Sequence, residues 1–199
     1  MIKFVFIGIC FAVVLGSYFF RRSTRDWGWL AGGMAFTLGA DYFLVLHDNH
    51  VPGIAVFCFA HVCYGLRAYH SGKEQTDWKR VIFIFALVGA IILLLVWLES
   101  VLLLGGLYAA LFATNLRVNT NYRKALHNAP LVLTGLHLFM LCDICVLLFN
   151  IPRYFGILPM LDAVFPFIWI FYLPAQVLLA FSAVNYKKIL KTEEQTNHV

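Results

Sequence analysis

Charge is what this chain has least of. Only 13% of its 199 residues are Asp, Glu, Lys or Arg, and the acids number ten. A soluble domain of this length needs a polar coat that such a fraction cannot supply, and no room is left for a separate soluble domain. Several catalytic signatures are missing altogether. There is no phosphate-cradling glycine loop, no GxSxG and no HExxH, so the usual soluble-enzyme chemistries have no foothold. Cysteine is sparse and its context is apolar: Cys10, Cys58, Cys63, Cys142 and Cys145 all lie inside hydrophobic runs. Cys142 and Cys145 form a CxxC, but without a thioredoxin-like setting these residues read as small packing groups.

What the chain has in excess is hydrophobicity, 62% of all residues, in runs of about 18 to 20. That is the length a helix needs to cross roughly 30 Å of hydrocarbon. The runs predict an all-α membrane protein with about seven transmembrane helices, near 2–20, 28–46, 51–69, 81–98, 100–117, 130–149 and 162–186, as a single integral membrane domain over 1–199. The first run holds one Lys, lacks a small-residue cleavage site and ends in Arg21 and Arg22, so it reads as a retained helix and not a signal peptide. Pro166 and Pro174 predict a kink or a short turn in the last segment.

The formal charge of +5 reports topology, and no nucleic acid is implied. With the N-terminus outside, the inner loops and tail collect Arg21, Arg22, Arg25, Arg67, Lys73, Lys79, Arg80, Arg117, Arg123, Lys124, Lys187, Lys188 and Lys191. Only Lys3 and Arg153 fall outside. This alternation satisfies the positive-inside rule at every loop, and it predicts a multi-pass cell-membrane protein with a cytoplasmic C-terminus.

A weak repeat runs through the chain. Gly33 precedes Asp41 by eight residues, as Gly135 precedes Asp143, and the helix after each carries Ala60-His61-Val62 or Ala175-Gln176-Val177. Two parallel three-helix halves, helices 1–3 and 5–7 joined by helix 4, would explain the match. Coincidence is the rival explanation, because a Gly–Asp spacing is a simple pattern.

The polar residues inside the apolar runs need a reason to be there. A carboxylate in hydrocarbon costs about 2.5–3.5 kcal/mol on insertion scales, so such groups face a protein interior or a wet cavity. Asp41 lies about 7 Å below the outer end of its helix, and Asp143 lies at nearly the same depth. Gly33, Thr37 and Asp41 share one helical face, and Leu136, Phe139, Asp143 and Asn150 share another. His61 sits mid-helix with Tyr64 on its face; Tyr108 pairs with Asn115, and Tyr172 with Gln176, in the same way. For each of these an interhelical hydrogen bond or simple packing competes with a functional role. His137 is turned about 120° from Asp143 and is set aside as its partner. The outer loop from His47 to His50 offers metal-type ligands, but short polar loops are common.

At these residues a resemblance appears. FTLGAD ending at Asp41 and FAHVCY from Phe59 to Tyr64 resemble the YhhN-like integral membrane family, which includes lysoplasmalogenases. LFMLCD ending at Asp143 and YLPAQ from Tyr172 to Gln176 resemble its C-terminal elements. The similarity covers most of residues 30–185. Many members carry eight helices where this chain supports seven, and Gly39-Ala40 stands where Leu-Gly is usual.

The resemblance implies hydrolysis of the vinyl ether of a lysophospholipid substrate, with membrane lipids as partners and no cofactor. Asp41, Asp143 and His61 would be catalytic, and Tyr64, Tyr108, Tyr172 and Gln176 would bind substrate. Opening an enol ether begins with protonation of carbon, and two carboxyl groups sharing an apolar site suit that chemistry because one of them keeps its proton. Two other readings compete. One is a small-molecule transporter or ligand-binding protein with the Asp pair as a proton or cation site. The other is a metal-dependent lipid hydrolase with Asp41, His61 and Asp143 as ligands.

Overall fold

A computed structural model of the chain describes residues 2–20, 23–71, 77–98, 101–155 and 162–184. Seven helices follow in order: α1 (Ile2–Gly16), α2 (Thr24–Asp41), α3 (His50–Tyr69), α4 (Trp78–Trp97), α5 (Val101–Asn121), α6 (Ala129–Phe155) and α7 (Phe165–Phe181). Among the described residues there is no strand. Among the described residues, five stretches are long and apolar enough to cross a membrane: Thr24–Leu46, His50–Tyr69, Trp78–Trp97, Val101–Asn121 and Ala129–Asn150. Phe4–Phe19 and Phe165–Phe181 are shorter apolar helices.

Local chemistry sets the helix ends. Asp77 caps α4, its carboxylate accepting from the Arg80 backbone N–H at 3.2 Å. Pro166 lies in the opening turn of α7, where its missing N–H costs nothing. α7 runs through Pro174, as a membrane helix can where its neighbours accommodate the freed carbonyl. Several ends differ from the sequence expectation. α2 starts at Thr24, not 28, α5 continues to Asn121, and α6 continues to Phe155. The reason is common to all three: polar residues beyond the apolar run still propagate a helix, because hydropathy marks the bilayer and not the end of hydrogen bonding. α7 is shorter than expected, with a 3₁₀ turn at Asp162–Val164 in place of its first residues. The expected features at Arg21, Arg22, Lys73, 158–161 and the tail from 185 lie outside the described residues.

The helices close a ring in the order α1, α2, α3, α5, α6, α7, with α4 leaning on α3 and α5 from outside. Exchanging α1, α2 and α3 for α5, α6 and α7 leaves the order of neighbours around this ring unchanged. The small-residue contacts obey the same exchange. Gly33 faces the Tyr64 ring, and Gly135 faces Leu179. Tyr64 follows His61 by three residues, as Leu179 follows Gln176. The two contacts correspond in position, as the expected repeat requires; superposition of the two halves with one membrane orientation is its test.

Polarity is reversed relative to a soluble protein. Leu93 and Trp97 on α4 are 72% and 77% exposed, while Thr37, Asp41, His61, Asn115, Asn119 and Gln176 are buried. α4 buries only Val81, Val88 and Ile92, one stripe toward the ring, and leaves its remaining apolar surface for lipid. At the end near the N-terminus of α2, Arg67 bridges three elements. Its Nε and Nη2 donate to both oxygens of Asp26 at 2.9 and 3.1 Å, and its Nη1 donates to Ser182 Oγ at 2.7 Å.

Candidate active site

Asp41 is the last residue of α2, and beyond it the helix widens into a π-helical turn, Tyr42–Leu46. Such turns insert an extra residue and are common where a side chain must be re-aimed. The Asp41 carboxylate is 3% exposed and accepts from the Tyr172 hydroxyl at 2.5 Å. This short bond links α2 to α7 across the ring.

Asp143, on α6, is served from α5. The Tyr108 hydroxyl donates to its Oδ2 at 2.6 Å. His61 Nε2 lies 3.1 Å from the same Tyr108 oxygen, and Asn115 Nδ2 lies 3.2 Å from His61 Nδ1. Asn119 Nδ2 completes the series on Asn115 Oδ1 at 2.7 Å. The direction of this chain follows from its end. Tyr108 spends its proton on Asp143, so its oxygen accepts from His61 Nε2–H. The imidazole nitrogen left over, Nδ1, then accepts from Asn115. Asn119, Asn115, His61 and Tyr108 thus form one polarised row of donors ending on the Asp143 carboxylate.

Aromatic rings fill the space around the two tyrosine–aspartate pairs. His61 stacks on Phe112 at 4.4 Å and 19°. The Phe139 ring stands 5.4 Å from Tyr172 and 5.5 Å from His61, between the two branches. Among the described residues no hydrogen bond joins Asp41 to Asp143; each carboxylate has its own phenol.

Of the residues singled out in the sequence, the structure brings Asp143, Tyr108 and His61 together, and separately Asp41 and Tyr172. Tyr64 lies beside His61, ring centroids 6.4 Å apart, but hydrogen-bonds toward α2. Its hydroxyl lies 3.0 Å from Thr37 Oγ1 and donates to Met34 Sδ at 3.3 Å, which locks α3 onto α2. Gln176 is fully buried one turn from Tyr172, and among the described residues neither its amide nitrogen nor its oxygen has a hydrogen-bond partner. Asn150 and His137 bond back to carbonyls of their own helix, Val146 and Leu133. In the outer loop His50 and Asp48 stand 3.7 Å apart.

Asn119 lies beyond the apolar run that ends at 117, and its position four residues after Asn115 is the sequence signal that marks it. Among the described residues no three His, Cys, Asp or Glu side chains group to hold a metal ion, so Asp41, His61 and Asp143 do not form the ligand set that the metal reading requires. The cysteines, Cys142 and Cys145 included, are free.

Among known proteins, the model of the YhhN family matches residues 1–183. No curated protein and no solved structure matches the chain.

Proposed function

From the premise that the chain belongs to the YhhN family, we propose that it is a lysoplasmalogenase-type hydrolase acting on vinyl ether lipids. The observation that carries the reading is a pair of membrane-embedded aspartates, each hydrogen-bonded to a tyrosine hydroxyl from another helix and walled by aromatic rings. A transmembrane helix keeps such carboxyl groups at a cost, which an acid–base function explains.

The reaction divides between the two carboxyls. Asp41, the enclosed one, carries the proton and delivers it to the β-carbon of the vinyl ether, leaving an oxocarbenium ion on the ether side. Asp143, at the end of its row of donors, carries the negative charge that stabilises this cation. It then takes a proton from the water that adds to the cation. The hemiacetal then collapses to a fatty aldehyde and a glycerophospho-alcohol: Asp143 gives its proton to the departing glycerol oxygen and Asp41 takes the hemiacetal hydroxyl proton, which returns both carboxyls to their starting states. Tyr108 and Tyr172 orient the carboxyl groups, and His61 holds Tyr108 as a positioning residue. Gln176 supports the same reading. A buried amide with no partner costs about 1–3 kcal/mol, and the hydroxyl of a bound lysolipid glycerol would satisfy it. The basic residues orient the protein with the N-terminus outside, which sets the aspartates in the outer leaflet, just below the head groups.

The test is turnover in D2O. The purified protein in lipid nanodiscs is given a 1-alkenyl lysophosphocholine, and the aldehyde is analysed by mass spectrometry. Protonation at carbon places one deuterium next to the carbonyl. Aldehyde without deuterium would exclude carbon protonation, and absence of any aldehyde would favour the transport reading of the Asp pair.

A further inference from the structure

The two tyrosine–aspartate pairs are not equally enclosed. Asp41 and Tyr172 are buried, whereas Asp143 and Tyr108 are both partly exposed. The hydrogen bond between Tyr108 and Asp143 spans the seam between α5 and α6. Among the described residues this seam is the most sparsely packed in the ring.

The side chains along the seam change size at this pair. On α6, Leu136, Phe139, Asp143 and Leu147 share a face. Leu136 and Phe139, on one side of Asp143, are buried, but Leu147, on the other, is 60% exposed. The flank that α5 turns toward α6 explains the difference. It is formed by Gly105, Ala109, Phe112 and Leu116, at i, i+4, i+7 and i+11. Phe112 meets the Phe139 ring at 5.6 Å and Leu116 packs on the same core, so the seam is shut on that side of the pair. Gly105 and Ala109 are too short to close the other side. A Cβ on Gly105 would meet nothing within 4 Å, and Ala109 is exposed. The opposite flank of α5 shows no such gap, because Leu104, Leu107 and Leu111 pack with residues of α3 and α4.

We propose that this opening is a lateral portal, through which the single chain of a lysolipid reaches Asp143 from the surrounding leaflet. The identity of the lipid rests on the hydrolase reading above; the portal itself rests on the packing of α5 and α6. Hydrocarbon alone is a poor cover for the opening, because its walls are apolar but its floor is a carboxylate and a phenol. A single-chain ether lipid supplies both parts. Its chain lies in the groove left by Gly105 and Ala109 beside Leu147, and its ether oxygen and glycerol hydroxyl meet the polar floor. Asp143 is then the carboxyl that the substrate meets first. The far end of the chain stays in the bilayer, so its length is not read by the protein.

The experiment is photo-cross-linking of the full chain in lipid nanodiscs. The probe is a 1-O-alkyl lysophosphocholine with a diazirine in its chain, a saturated ether that cannot be opened by protonation at carbon. Cross-links mapped by peptide mass spectrometry are expected on α5 and α6 around Ala109 and Leu147, and excess 1-O-alkyl lysophosphocholine without the diazirine should remove them. A109W fills the gap, whereas A110W adds the same bulk one residue on, at another exposed position of α5. The competed cross-link is expected to fall about tenfold in A109W, as overfilling one packed position does, and to persist in A110W. Cross-links that resist competition, or that are equal in wild type and A109W, overturn the portal. Should A109W fail to fold, A109L replaces it, and an unchanged cross-link there is equally fatal. Aldehyde release from the 1-alkenyl lipid is measured on the same samples. A competed cross-link without any aldehyde upholds the portal as a lysolipid site and sinks the hydrolase reading instead. Wild-type kcat/KM in A109W shows that substrate enters elsewhere.

Discussion

Each aspartate ends on a phenol, but the two phenols have different duties. Tyr172 serves Asp41, whereas Tyr108 both donates to Asp143 and accepts from His61. Tyr108→Phe therefore strands a buried imidazole N–H. It is expected to lower stability by about 1–3 kcal/mol, read from thermal unfolding in detergent. It should also cut turnover by about 10²-fold, because Asp143 loses its donor and His61 its connection to the site. A variant that keeps both properties would show that the row of donors is incidental. Gln176 tests the other side of the trade between stability and function. Its amide has no partner to lose, so Gln176→Leu is expected to raise the melting temperature while removing substrate turnover. A drop in melting temperature would mean that the amide is already satisfied in the free protein.

The buried ionisable residues were legible in the sequence, because Asp41, Asp143 and His61 each interrupt an apolar run at a cost that demands explanation. Their partners were not legible. Tyr64 shares a helical face with His61, yet its hydroxyl reaches Thr37, because the rotation of α3 against α2 is set by Gly33 and not by its own periodicity.

At the scale of helices, two glycines carry the packing. A Cβ on Gly33 would lie 2.3 Å from Tyr64 Cε1, with the ring already held at its hydroxyl, so the ring has nowhere to go. A Cβ on Gly135 meets Leu179 Cγ at 3.1 Å and the Ala175 carbonyl at 3.2 Å, a milder crowding. Gly33→Ala is expected to destabilise by about 1–3 kcal/mol, Gly135→Ala by less, and Gly105→Ala, which meets nothing within 4 Å, not at all. Thermal melts of the three variants in one detergent give the ranking, and equal melting of Gly33→Ala and Gly105→Ala would contradict the account. The existence and order of the helices were legible from run length and loop charge alone. Their ends were not: Asn119 and Asp26 sit in helical turns beyond the apolar runs, where hydrogen bonding continues after hydropathy has stopped. With those turns went two features of the interior, the last donor of the Asp143 row and the carboxylate that holds Arg67.

For the whole molecule, the ring makes a scaffold that delivers one aspartate from α2 and one from α6. The repeat was visible only as Gly33–Asp41 and Gly135–Asp143; the contacts of Gly33 with Tyr64 and of Gly135 with Leu179 give it physical content. The correspondence stops at the chemistry, because His61 stands where the other segment has Gln176, and the two carboxyls have different surroundings. The basic residues predict a cytoplasmic C-terminus, so a reporter fused after Lys191 is expected to score cytoplasmic; an extracytoplasmic signal would invert the molecule and move the aspartates to the inner leaflet.

The central claim is that Asp41 and Asp143 are the acid and base of a vinyl ether hydrolase. It is tested most directly by release of fatty aldehyde from a 1-alkenyl lysophospholipid by wild type, Asp41→Asn and Asp143→Asn, with each variant shown to insert and melt like wild type. Asparagine keeps the shape and the hydrogen bond from each tyrosine, so the fold should survive. Each substitution is expected to lower turnover by about 10²–10⁴-fold, the usual contribution of a general acid or base. Near wild-type turnover in either variant would contradict the account.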